Sequence, residues 1–325
     1  MSVFLIRRLM QAVIVLFAMS LIVFVGVYAI GNPIDILISP EADQIERERA
    51  IHALGLDLPL WEQYFVFLQR ALTGDLGRSF AFGAPALQII VERMPATLEL
   101  AVAAMGISIV VGIPLGMWAG FRPESFGGRA IMAGSILGFS LPTFWVGLML
   151  IMVFAVHLGW LPSTGRGETV EVLGLQLSIF TWNGWTHLLL PAFNLALFKM
   201  ALVIRLTRAG MRENLLMDYV KFARAKGLSP GRVIFVHVLK NIMIPVVTIL
   251  GLELGSVIAF AVVTETIFSW PGMGKLIIDS INQLDRPVIV AYLLITVSMF
   301  IFINFVVDIL YSVLDPRVRL KEMKS

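Results

Sequence analysis

The chain contains no cysteine, which removes disulfides and thiolate metal sites from its repertoire. Charge is scarce as well. Only 14% of the 325 residues are Asp, Glu, Lys or Arg, against about 25% in soluble domains, so the chain would be a poor solute in water. The four histidines (His52, His157, His187 and His237) form no H-E-x-x-H or i, i+4 pair, and no metal site is expected. No G-x-S-x-G is present, which counts against an intramembrane serine hydrolase. The nearest approach to a phosphate loop, Gly272-Met-Gly-Lys275, has Leu276 where Ser or Thr is required, so the chain is not expected to bind ATP itself. These absences leave no catalytic residue and no cofactor of its own. The net charge of +3 is modest, and no nucleic-acid partner is expected.

What remains is apolar. Hydrophobic residues make up 58% of the chain and gather into six runs long enough to span a bilayer. They are Leu9–Ile30, Thr97–Gly120, Ile131–His157, His187–Ile204, Ile242–Thr264 and Val288–Tyr311. The first is too long for a signal peptide and lacks its small-residue cleavage site, so it reads as a permanent span. An all-α polytopic membrane protein follows, with both ends on one side. The segments on that side hold about twice as many Lys and Arg as the opposite segments. By the positive-inside rule the termini lie in the cytoplasm.

The expected organisation is a first span at 1–30, an outer segment at 31–94, a core of five spans at 95–312 and a cytoplasmic tail at 313–325. In the outer segment, 41–54 and 61–72 read as two short helices parted by Gly55-Leu-Asp-Leu-Pro59. Too few apolar residues are present for an independent core, so the segment should lie against the membrane domain. The loop from Gly159 to Trp185 has room for a short hairpin.

Gly112, Gly116 and Gly120 sit four apart in the second run; Gly134 with Gly138, and Gly251 with Gly255, repeat the spacing elsewhere. Such spacing lets helix backbones approach closely in lipid, and packing is the favoured reading over contact with a solute. Pro114, Pro142, Pro191 and Pro245 should break or bend their spans. Lys199, six residues from Arg205, is close enough to the inner boundary to snorkel, and Asp308 lies similarly near an inner end. Glu253 is central in its run. A carboxylate there either faces a water-filled pathway or is a protonated group bonded to a neighbouring helix, and the sequence leaves both open.

Between the fourth and fifth runs, Asp218–Arg232 reads as a basic helix–turn–helix on the cytoplasmic side. Leu215, Tyr219 and Phe222 give its first helix an apolar stripe. Gly227 should stop that helix, with Leu228 folding back onto it. Ser229 can cap the next helix, with Pro230 at its first position. A belt of charge held by anionic lipid would explain the basic residues but not these breaks. A docking surface explains both.

The chain resembles the inner-membrane permease subunits of ATP-binding-cassette importers, in the dipeptide/oligopeptide/nickel branch. The resemblance rests on Leu54-Gly-Leu-Asp57, Pro59-Leu-Trp61 with Gln63-Tyr64, and Gly74-Asp-Leu-Gly-Arg-Ser79. Pro95-Ala-Thr-Leu-Glu-Leu100, Ala223-Arg-Ala-Lys-Gly227, His237 with Leu239, Asn241 and Pro245, Glu265-Thr-Ile-Phe-Ser-Trp-Pro-Gly272 and Asp315-Pro-Arg317 follow in the family's order.

It implies a type I importer permease fold with six transmembrane helices and a cytoplasmic coupling helix. The loop at 205–241 resembles the family's EAA loop, with Lys221 in place of the Glu, then Phe222, Ala223, Arg224, Ala225, Lys226, Gly227, Leu228, Ser229 and Pro230. It also implies a heterodimer with a second permease, two ATPase subunits that use ATP and Mg, and a solute-binding protein outside the membrane. Trp61, Gln63, Tyr64, Asp75 and Arg78 are candidates for docking that protein, and Glu253 is the pathway candidate. The expected setting is a bacterial or archaeal cytoplasmic membrane. The expected cargo is a di- or oligopeptide, with nickel, glutathione or an oligosaccharide as alternatives. An ion-coupled secondary transporter fits less well, since it would call for several intramembrane ionisable groups and inverted repeats.

Overall fold

The computed structural model describes residues 2–30, 38, 41–54 and 57–314. The Asp315-Pro-Arg317 motif, the tail after it, and Gly55-Leu56 in the expected outer turn lie outside the described residues. In chain order the helices are α1 (Ser2–Ile30), α2 (Gln44–Leu54), α3 (Leu60–Leu72), α4 (Ala86–Phe121), α5 (Phe126–Ser140) and α6 (Thr143–Leu150). A π-helical stretch, Ile151–His157, continues α6. Strands β1 (Val170–Val172) and β2 (Leu175–Leu177) follow, then α7 (Trp182–Asn214), α8 (Asp218–Ala225) and the single turn α9 (Pro230–Arg232). A second π stretch, Val233–Val238, leads into α10 (Leu239–Ile267), and α11 (Met273–Asn282) and α12 (Arg286–Leu314) complete the chain.

Among the described residues, five helices are long and apolar enough to cross a membrane: α1, α4, α7, α10 and α12. The third expected span, Ile131–His157, differs. It consists of two limbs, Phe126–Ser140 and Thr143–His157, bent by 107°. Pro142 is the cause. It bars the α conformation at Leu141, which is extended (ψ 136°), so the first limb ends there and a new helix starts beyond the proline. Pro191 and Pro245, by contrast, lie inside continuous helices, as does Pro114. Neighbouring groups can satisfy a freed carbonyl in a packed bundle.

Two compact units are present, Met1–Pro95 with Gly272–Phe305 and Ala96–Pro271 with Val306–Ser325. In the first, the two outer helices are present as expected, and α3 lies on α1. Tyr64 stands edge-on to Phe24 (centroids 5.3 Å) and shares a 2.8 Å hydrogen bond with Ser20. Ala86, Ile89 and Ile90 of α4 pack with Met273 and Leu276 of α11 and with Val288 and Ala291 of α12. Buried Asp285 ties the outer segment to this core. It accepts from the Ser79 hydroxyl and from the Phe80 N–H (3.1 Å). Ser79 ends the Gly74–Ser79 motif, so that motif has a structural duty.

In the second unit α7 is the central element, in contact with α5, α6 and α10. The α4 glycines face it. A Cβ on Gly116 would meet the Ile204 carbonyl oxygen at 2.7 Å, and one on Gly120 would meet Met211 at 2.6 Å. Packing is therefore what this stripe does. Gly134 and Gly138 differ, since nothing lies within 4 Å of their built Cβ positions among the described residues. The 159–185 loop carries the anticipated hairpin, with β1 and β2 antiparallel and Glu171 opposite Gln176.

Candidate functional site

The cytoplasmic helix–turn–helix is built much as its residues dictate. Gly227 has φ +77°, the left-handed conformation that a side chain would oppose. Its N–H bonds the Arg224 carbonyl at 2.9 Å while the Leu228 N–H reaches back to Ala223 at 3.3 Å. This double closure is a Schellman turn, and it fixes the exit of α8. Pro230 occupies the first position of α9, as expected. Ser229 holds the capping position, but its side chain makes no capping hydrogen bond. The second arm is also not a separate helix: α9, the π stretch and α10 follow one another without a break.

The apolar stripe of α8 is rotated from its expected position. Val220 and Ala223 are buried, against the π stretch that contributes buried Val233 and Val238. Tyr219 and Phe222 point outward instead, Phe222 being 63% exposed. With Leu216 and Met217 they make an exposed apolar face, and Lys221, Arg224 and Lys226 rim it. Lys226 Nζ stands 4.6 Å from the Phe222 ring centre. Lys221 pairs with Asp218 at 2.8 Å, yet both are largely exposed and the pair contributes little. A rigid elbow thus presents large apolar side chains where solvent would otherwise meet them.

The membrane-buried charges differ from expectation at one point. Lys199 does not snorkel. It is 4% exposed, and its Nζ pairs with the Glu253 carboxylate and donates to Ser256 Oγ at 2.6 Å. Ser256 Oγ in turn lies 2.7 Å from Glu253 Oε2. Glu253 is thus bonded to a neighbouring helix, and the contact joins α7 to α10. Beside it Phe139 and Phe198 stack with centroids 4.5 Å apart, Lys199 Nζ lies 5.2 Å from the Phe198 ring, and Arg205 sits 4.9 Å over Phe139. Asp308, on α12, is half-buried.

Of the outer candidates, Trp61 is 64% exposed, whereas Gln63 is buried and donates to the Leu58 carbonyl at 2.7 Å. Tyr64 is turned onto α1. Asp75 pairs with Arg70 at 2.7 Å, and Arg78 donates to the Gly83 carbonyl at 2.8 Å.

Sequence reasoning missed a buried polar cluster. Glu99 accepts from Arg166 Nη2 (2.5 Å), the Ser178 N–H (2.6 Å) and the Ser178 hydroxyl (3.1 Å). In the same unit Thr97 donates to fully buried Glu265 at 2.7 Å, and the Trp270 indole N–H donates to the Ala96 carbonyl at 2.8 Å. The Pro95–Leu100 and Glu265–Gly272 motifs therefore lock to each other. The available signal was an acidic residue at the end of each apolar run, which buried polar chemistry would have to match.

Comparison with known proteins agrees with this architecture. Residues 112–320 match the family described as binding-protein-dependent transport system inner membrane component, and residues 1–101 match its N-terminal companion. The di/tripeptide transport system permease protein DppB of Pseudomonas aeruginosa is 40% identical over 97% of this chain and 98% of its own length. The oligopeptide transport system permease protein AppB of Bacillus subtilis is 39% identical over 98% and 99%. The glutathione transport system permease protein GsiC of Escherichia coli is 37% identical over the same shares. A solved chain of the MetNI methionine ABC transporter, in an inward-facing form, covers 71% of this chain and 98% of its own with a TM-score of 0.53. At 15% identity that likeness speaks for the fold alone. The chain belongs to the inner membrane component family of binding-protein-dependent transport systems.

Proposed function

We propose that this chain is one of two membrane-spanning subunits of an ATP-driven importer that carries di- or oligopeptides. A solute-binding protein hands the peptide to the outer face, where exposed Trp61 is the leading candidate contact and Asp75 and Arg78 are further candidates. A second permease completes the pathway as a heterodimer. Two ATPase subunits bind and hydrolyse ATP with Mg, and the chain itself catalyses nothing. Both termini and the α8 elbow lie in the cytoplasm. The carrying observation is that elbow, whose exposed Phe222 and Tyr219 sit on a helix fixed at its exit by Gly227. A rigid apolar knob with a basic rim suits a groove in a partner and transmits its movement to α10.

The absence of cysteine makes the test clean, because Phe222→Cys supplies the sole thiol of the chain. A short bifunctional thiol crosslinker should join it to the ATPase subunit in the assembled complex, and ATP should alter the yield. Vesicles holding the permeases and ATPases should accumulate peptide only with ATP and binding protein. Uptake without the ATPases would replace this reading with a secondary transporter. Glutathione is the second cargo, favoured by the 37% identical GsiC relative, and competition between glutathione and dipeptides for uptake separates the two.

A further inference from the structure

The Lys199–Glu253 pair is deep in the membrane and only half closed. Glu253 lies eight residues from Pro245 and fourteen from Ile267, the limits of its apolar stretch, so about 12 Å and about 21 Å of helix separate it from the two ends. Lys199 is almost fully enclosed, its side chain 5% exposed, while that of Glu253 is 31% exposed. Lys199 and Ser256 both bond Oε2, and among the described residues Oε1 has no hydrogen-bond partner. One carboxylate oxygen is therefore held by Lys199 and Ser256, while the side chain as a whole stays partly exposed. A polar edge of this kind is unstable against hydrocarbon and stable against water or a cationic ligand. The stacked Phe139–Phe198 pair, linked through Lys199, borders the same spot and offers an apolar wall.

We propose that Glu253 Oε1 is an acceptor for a primary ammonium group, with Lys199 and Ser256 as the residues that position it. The inference rests on the importer reading and narrows it: the free amine end of a peptide pauses here during passage, its side chain against the phenyl rings. Lys199 compensates the charge so that the site can stay empty between cargoes, and a cation then binds through one oxygen without displacing the lysine. A residue that only held α7 to α10 would need no open edge.

The test uses Ser256→Cys, a near-isosteric change in a chain with no other thiol, in the full assembly in vesicles. Modification by 2-aminoethyl methanethiosulfonate should run about tenfold faster than by the similar-sized anion 2-sulfonatoethyl methanethiosulfonate, because only the ammonium can take up a charge-assisted hydrogen bond to Glu253 beside the thiol. A dipeptide with a free amine should slow the reaction, and its N-acetylated analogue should not. Equal rates, or no reaction with either reagent because lipid or the partner permease covers the site, would overturn the proposal. Should Ser256→Cys fail to assemble, Glu253→Cys leaves Lys199 uncompensated and the order of the reagents should reverse; an unreversed order would overturn it equally. ATP-driven uptake by the wild-type assembly judges the importer reading separately. Its absence alongside a retained cation preference would remove the importer and leave the site.

Discussion

Two buried ion pairs in the same unit have opposite designs. Glu99 is 4% exposed and is enclosed by a guanidinium, a hydroxyl and the N–H groups of Ser178 and Ile179. Glu253 is 31% exposed and, among the described residues, is held through Oε2. Taking a charge out of water is costly, and only complete hydrogen bonding offsets it. The Glu99 cluster meets that condition and pins the hairpin loop to α4 through Arg166, which also donates to the Gln176 carbonyl at 2.5 Å. The Glu253 pair does not meet it. Under the proposal above, incomplete closure at mid-span leaves room for another group, whereas complete closure makes a fastening.

The sharpest way to break the comparison is Glu99→Ala. It strands Arg166, only 10% exposed, and leaves two backbone donors without their acceptor. Stability should fall by about 3 kcal/mol, the loss typical of a buried pair reduced to one charge. Thermal unfolding of the purified assembly reads the loss, and limited proteolysis should cut within 159–181. An unchanged melting temperature would deny Glu99 its structural role.

Lys199→Met should cost less, about 2 kcal/mol, since the open edge of Glu253 can still be hydrated when its partner goes. The double change Lys199→Met with Glu253→Leu sharpens the contrast. Well-packed apolar residues commonly replace a buried pair without loss, so stability should return to within about 1 kcal/mol of wild type. Discrimination between free-amine and N-acetylated peptides should not return. Recovery of both would make the pair a packing device like the Glu99 cluster.

Sequence showed which residues punctuate the chain better than which residues meet. Gly227 and Pro230 act through local backbone geometry, and both stand where their chemistry requires. The six apolar runs were legible for the same reason, as composition alone sets a span. Pro142 was legible as a breaker, but its 107° consequence depends on how the two limbs pack. Lys199 was misread because snorkelling is judged along one helix, whereas its carboxylate partner stands 54 residues away on another. The stripe of α8 was misplaced because Val220 and Ala223 are smaller than Tyr219 and Phe222, and size was mistaken for burial. The Glu99 and Glu265 contacts cross 67 to 168 residues and have no period to betray them.

A third carboxylate completes the series at its exposed end. Glu124, between α4 and α5, bonds Arg129 at 2.8 Å with both side chains open to solvent. The hydrogen bond from Arg129, and then its charge, hold the Glu124 carboxyl below its ordinary value of 4.5, with smaller help from Arg212 and Arg208. A carboxylate whose folded value is depressed stabilises the fold above its unfolded value, and that contribution fades as pH falls through the folded one. The stability difference between wild type and Glu124→Gln should therefore be flat from neutrality to about pH 5 and vanish in acid below that. It should be small throughout, because exposed pairs are screened, and about 1 M salt should erase it. A large, salt-resistant difference would mean that exposure does not rank these three pairs, and the contrast between Glu99 and Glu253 would then need another cause.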